Sequence, residues 1–192
     1  MSASNFQPAL KQLLSHEGGF SWFKKDPKTF YGITERDFPN ESFWPKVNRI
    51  LEQHKITQSF TVLDRAYREI QQIINTIYID PEVQSEIASF YRREFWNKSK
   101  CDELPGIVDR VVFNLAVNMG IPRVNRFLQT AVSAVADGIV GPKTLAAVAN
   151  ADPLKVKASI LEQARQYYIK LAEQEQYKPF LNGWLNRLDN LA

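Results

Sequence analysis

The sequence predicts a mostly α-helical protein with a short β-hairpin after its first helix, and three observations predict it. Apolar residues recur at helical spacing through most of the chain, as in Leu63, Ala66, Tyr67, Ile70, Ile73, Ile74 and Ile77. Prolines stand at first-turn positions, where a missing N–H costs nothing, and glycines stand where helices would end. One stretch after the first helix, TFYGIT at 29–34, is β-prone and flanked by Asp-Pro turn chemistry.

Taken in order, Ser4 or Asn5 can cap a first helix whose apolar face is Phe6, Leu10, Leu13 and Leu14, and Gly18-Gly19 ends it. KKDPKTFYGITERDF breaks the helical period, and TFYGIT supplies one strand of a small hairpin. Residues 36–60 hold FPNESFWP, an aromatic loop or short helix, and then an amphipathic stretch. The isoleucine series comes next, Asp80-Pro81 punctuates, and another helix runs to about Trp96. GIVDRVVFNLAVNMG is closed by Gly120, and PRVNRFLQTAV succeeds it with Pro122 in its first turn. Asp137-Gly138 marks a turn, Gly141-Pro142 starts a short helix through Ala149, and Pro153 opens a long one reaching about Gln174. FLNGWLNRLDNL spaces its apolar residues for a closing helix. With no low-complexity linker and no internal repeat, a single compact unit over residues 1–192 is expected.

A chain of 192 residues with 44% hydrophobic and 23% charged residues reads as an ordinary soluble globular protein. A net charge of +3, with both signs interspersed, makes nucleic acid a poor first guess. The single cysteine, Cys101, excludes an internal disulfide and a Cys-based zinc site, and His16 and His54 are too few for a triad or a multi-His metal site. No run of about 18 apolar residues suggests a membrane span. The N-terminal segment lacks a basic leader and an apolar core of signal-peptide length, so the expectation is a protein made in the cytoplasm without a signal peptide.

Glu17 poses the chemical question. It comes four and three residues after Leu13 and Leu14, so a continued helix would place its carboxyl on the apolar face. The negative end of the helix dipole and the neighbouring Phe20, Trp22 and Phe23 would both disfavour its ionised form. A carboxylic acid kept protonated near neutral pH suits a general acid. Its other reading is a solvated residue or a partner for Lys24, while His16 faces about 100° away. Asp26, nine residues later, supplies a second carboxylate, and two acids across a helix-to-hairpin corner are glycosidase geometry in outline. Asp26 read on its own is equally a turn former.

HEGGF at 16–20, Asp26-Pro27 and TFYGIT at 29–34 together resemble the start of the glycoside hydrolase family 108 lysozymes. VVFNLAVNMGIPRVNRFLQTAV at 111–132, DGIVGPKTLAAV at 137–148 and FLNGWLNRL at 180–188 resemble the peptidoglycan-binding region that comes next in that family. The resemblance implies a lysozyme-like helical fold, with residues 1–100 as the catalytic region and 101–192 as the peptidoglycan-binding region. It makes Glu17 the proton donor and Asp26 the second acid. Tyr31, Gly32 and Thr34 match the family's YGIT and would meet the sugar through a ring face, a close backbone approach and a hydroxyl. Asn114 and Asn118 match polar positions of the later block and either line the cleft or serve as ordinary helix amides. Between Asp-Pro and Thr this chain is two residues shorter than the family pattern, which tightens the segment carrying Asp26 and makes Glu35 and Asp37 reserve candidates.

The implied activity is that of an N-acetylmuramidase, cleaving the β-1,4 bond between N-acetylmuramic acid and N-acetylglucosamine in peptidoglycan, with no metal or organic cofactor. Family members are phage endolysins and related lysis or secretion proteins, some labelled secretion activators. Action on the wall would then depend on release by a separate pore or secretion system. Two other classes remain open: a non-catalytic peptidoglycan-binding adaptor, and a secretion regulator that binds a protein through exposed aromatics such as Phe43 and Trp44.

Overall fold

The computed structural model of the chain describes residues 5–15, 18–23, 26–61 and 65–192. Nine α-helices and a three-stranded sheet are found among them, and none of these helices is long and apolar enough to cross a membrane. The chain forms two compact units: Leu10–Tyr91 is one, and the residues through Ala9 together with Arg92–Ala192 are the other.

In the unit Leu10–Tyr91, helix α1 (Phe6–Leu14) supplies Leu10 and Leu13, both buried. It ends three residues before Glu17, short of the glycine pair that the sequence suggested as its stop. The cause is local: the Ser15 hydroxyl turns back to the Gln12 carbonyl at 2.7 Å, a bond that competes with further helix. Strands β1 (Phe20–Ser21), β2 (Thr29–Phe30) and β3 (Ile33–Thr34) pair antiparallel in that order, with Phe20 opposite Phe30 and Phe30 opposite Ile33. TFYGIT is therefore a complete hairpin rather than one strand. Its two central residues, Tyr31 at φ +48° and Gly32 at φ +78°, both take the positive φ that a two-residue turn of matching twist demands.

Helix α2 (Trp44–Gln53) starts with Pro45 in its first turn, and α3 (Arg65–Asn75) packs on it. Helix α4 (Pro81–Tyr91) completes the unit. Phe43 and Trp44 are 0% and 1% exposed, so they are core and not a partner-binding surface. Phe43 packs at 5.4 Å from Phe30, and the Trp44 indole donates to the Phe38 carbonyl at 2.8 Å. Burying two such side chains is worth about 1.5–3 kcal/mol each, which outweighs any loose display for a partner.

In the other unit a π-helical turn, Arg92–Trp96, leads toward α5 (Val108–Met119). Gly120, at φ +83°, makes the break from which α6 (Ile121–Ala131) starts, a conformation that side chains resist. Helix α7 (Pro142–Ala149) and α8 (Pro153–Leu171) both open on proline, and Asp152 caps α8 by accepting from the Leu154 N–H at 2.9 Å. Helix α9 (Leu181–Leu191) closes the chain on α8, while α5 and α6 pack on each other and on α8.

Candidate active site

Glu17, with His16, Lys24 and Lys25, lies outside the described residues. The glycine pair and β1, just beyond Glu17 in the chain, are tightly fixed at their second residue. A Cβ on Gly19 would stand 2.0 Å from Asn75 Oδ1, and that same oxygen accepts from the Phe20 N–H at 2.8 Å. The second glycine of HEGGF thus lets the end of α3 close onto the backbone and anchor β1. Gly18 has open space around it. The Gly19 carbonyl in turn accepts from the Tyr31 N–H at 3.1 Å, tying the glycine pair to the hairpin turn.

At that turn Tyr31 stacks on Tyr78, with centroids 4.2 Å apart and planes at 26°, and its carbonyl accepts from the Tyr91 hydroxyl at 2.8 Å. Burial, with Tyr78 adding, raises the Tyr31 hydroxyl above its ordinary pKa. One face of its ring is already engaged. Gly32 is exposed beside it. Thr34 donates to Asp37 at 2.6 Å, so only its oxygen lone pairs remain to meet a ligand. Asp37 is held below the usual carboxylate range by hydrogen bonds from Arg36 first and Thr34 second.

Asp26 is exposed in the segment joining β1 to β2, its N–H bonded to the Phe23 carbonyl at 2.8 Å. Among the described residues no donor meets its carboxylate. Glu35 is bound on both oxygens: Lys28 Nζ stands 2.6 Å from Oε2, and Asn48 Nδ2 donates to Oε1 at 2.8 Å. Lys28 also donates to Asn48 Oδ1 at 2.7 Å and lies 5.5 Å from the centre of the Trp22 ring. These residues close a charged ring on one wall of a groove of about 340 Å³, lined by Trp22, Pro27, Lys28, Glu35 and Arg36. An indole, two cations and a carboxylate at an open groove suit a polar ring-shaped ligand that carries acidic groups.

Asn114 and Asn118 belong to the other unit, on α5. Asn114 is 2% exposed, and the exposed Asn118 donates to its backbone carbonyl at 2.7 Å.

A family model described as glycosyl hydrolase 108 matches residues 10–120, and one described as a predicted peptidoglycan domain matches residues 121–189. The chain belongs to the glycosyl hydrolase 108 family. SagA of Brucella abortus has a similar solved structure, at TM-score 0.66 and 24% identity, covering 97% of this chain and 91% of that one. At that identity the likeness speaks for the fold, which is lysozyme-like and mostly α. Comparison with curated proteins gives no match. As a glycosyl hydrolase 108 protein with a peptidoglycan domain, the chain is a glycoside hydrolase directed at peptidoglycan.

Sequence reasoning reached the hairpin and its acids but missed Asn48 and Asn75. Asn48 lies on α2, 13 residues from Glu35, and Asn75 lies 55 residues from Phe20. No local spacing signals either. Lys28 sits inside the shortened Asp-Pro-Lys-Thr segment, and its charge beside Glu35 across a predicted turn was the one available hint.

Proposed function

We propose that the chain is an N-acetylmuramidase that cleaves the β-1,4 bond between N-acetylmuramic acid and N-acetylglucosamine. The observation that carries this reading is the glycosyl hydrolase 108 match over residues 10–120, which spans the HEGGF segment, Asp26-Pro27 and the TFYGIT hairpin. Glu17 is the proton donor: it protonates the glycosidic oxygen as positive charge develops at the sugar's anomeric carbon. Asp26 is the second acid and serves the opposite face of the sugar. Its exposed carboxylate, without a protein donor among the described residues, is available to a water or a developing cation. Glu35 is the weaker candidate for that role, because Lys28 and Asn48 occupy both its oxygens.

Tyr31, Gly32 and Thr34 form the sugar-facing turn in this reading, and Trp22 offers an aromatic wall. The enzyme reaches the wall from the cytoplasm through a separate pore or secretion system, as an endolysin or a secretion-activating hydrolase would. Glu17→Gln tests the assignment on purified cell walls. The variant is expected to release no muropeptides while its melting temperature stays within a few degrees of the parent; full release would refute it.

A second reading, a non-catalytic peptidoglycan-binding adaptor, draws on the two-residue shortening of the segment that carries Asp26. It expects Glu17→Gln to bind walls unchanged and the parent chain to release nothing. The secretion-regulator reading through Phe43 and Trp44 loses its surface, because both rings are buried.

A further inference from the structure

The peptidoglycan domain carries a pocket of about 650 Å³ between the segment 133–141 and α7, a volume typical of small-ligand sites. Its segment is locked from beneath by one buried amide. Gln129, 1% exposed, donates through Nε2 to Asp137 Oδ1 at 2.6 Å and to the Ile139 carbonyl at 3.0 Å, and accepts from the Gly138 N–H at 2.8 Å. Gly138 holds φ +87°, and a Cβ there would stand 3.0 Å from the Pro122 carbonyl. The pocket wall is therefore preorganised rather than a loose loop.

On this rigid frame the lining is aliphatic, with Val135 and Ile139 left 81% and 73% exposed beside Pro142 and Ala147. Large aliphatic side chains held open in a pocket mark a contact surface. Two charges flank them. Lys143 forms no ion pair among the described residues, and the exposed Asp137 carboxylate, accepting from Gln129 and the Ile139 N–H through Oδ1 and with Arg126 nearby, carries the opposite charge. No aromatic ring lines the pocket, so it lacks the flat face on which a sugar stacks.

We propose that this pocket binds the stem peptide of peptidoglycan rather than its glycan. A stem peptide presents alanine methyls, free carboxylates along its length and, in many walls, an amine on its third residue. The methyls fit the exposed aliphatic side chains, a carboxylate meets Lys143, and an amine meets the Asp137 carboxylate. The proposal rests on the peptidoglycan-directed reading of the chain, and it would make wall recognition depend on the peptide as well as the sugar.

Co-sedimentation of the full chain with intact sacculi and with sacculi stripped of peptide by an amidase tests it. The parent is expected to bind intact sacculi about tenfold more tightly than stripped ones, the factor that one good ion pair plus apolar contact supplies. Ile139→Ser and Lys143→Glu, both at exposed positions, should erase that difference with the melting temperature unchanged, and Lys143→Arg should keep it. A soluble stem tetrapeptide titrated by NMR should shift the signals of Ile139 and Ala147. Equal binding of intact and stripped sacculi by the parent, or a difference that survives both substitutions, would overturn the proposal. Failure of the muramidase reading shows separately, as no muropeptide release from either material.

Discussion

Gly19→Ala is a stringent test of how HEGGF is held. The added methyl would lie 2.0 Å from Asn75 Oδ1 and 2.4 Å from its Cγ, so the amide must move. Moving it breaks the 2.8 Å bond to the Phe20 N–H, beside a side chain that is 0% exposed. An orphaned buried donor costs about 1–3 kcal/mol and the overpacking that the amide's shift only partly relieves about 1 kcal/mol more, which together predict a loss of about 2–4 kcal/mol. At about 2–4 °C per kcal/mol for a chain of this size, the melting temperature should fall by about 5–15 °C. Urea unfolding of four proteins isolates the cause: the parent, Gly19→Ala, Asn75→Ala and the double variant. In the Asn75→Ala background, Gly19→Ala should cost under about 0.5 kcal/mol, because the clash and the bond are already gone. Gly18→Ala, with nothing within 4 Å of its new methyl, is the matched control. An equal cost of Gly19→Ala in both backgrounds would refute the reasoning.

Gly32→Ala places a side chain at φ +78° and should cost about 1–2 kcal/mol by urea denaturation, while a glycine at Tyr31, φ +48°, should recover part of what its lost ring contact with Tyr78 removes. Asp109, in the first turn of α5, is 3% exposed, and burial raises its pKa above the ordinary carboxylate value despite a 3.0 Å bond from Asn5. The folded state then binds more protons than the unfolded one between the ordinary and the raised value, so stability falls as pH rises through that window, by at most about 1.4 kcal/mol per pH unit. Asp109→Asn keeps an acceptor for Asn5 and should flatten that stretch of the stability profile; an unchanged profile would show the group ionises freely. Cys101 is 0% exposed, and burial with the nearby Asp109 and Asp102 raises its thiol pKa. Ellman's reagent should leave it unmodified in the native protein and label one thiol per chain in denaturant.

The helices of this chain were legible in its sequence wherever their signals are local. Gly120, Pro122, Pro142 and Pro153 mark boundaries that the structure keeps, because a proline's missing donor and a glycine's positive φ act within one turn of backbone. The motif blocks that reveal the family are legible for the same reason, each being a short run of fixed spacing. At Leu14 the reading overran, since a serine hydroxyl bonding back three residues outweighed an apolar period that still pointed onward.

Tertiary structure alone decided the rest. It put Asn75 against Gly19, closed Lys28, Glu35 and Asn48 into one charged ring, and drew Phe43 and Trp44 into the core. It also let one buried glutamine frame the pocket beside α7. Each of these joins side chains whose separation along the chain carries no period. The amide or ring that fills such a place is chosen by what space and which unpaired donor the packed elements leave, and that is fixed only when they meet.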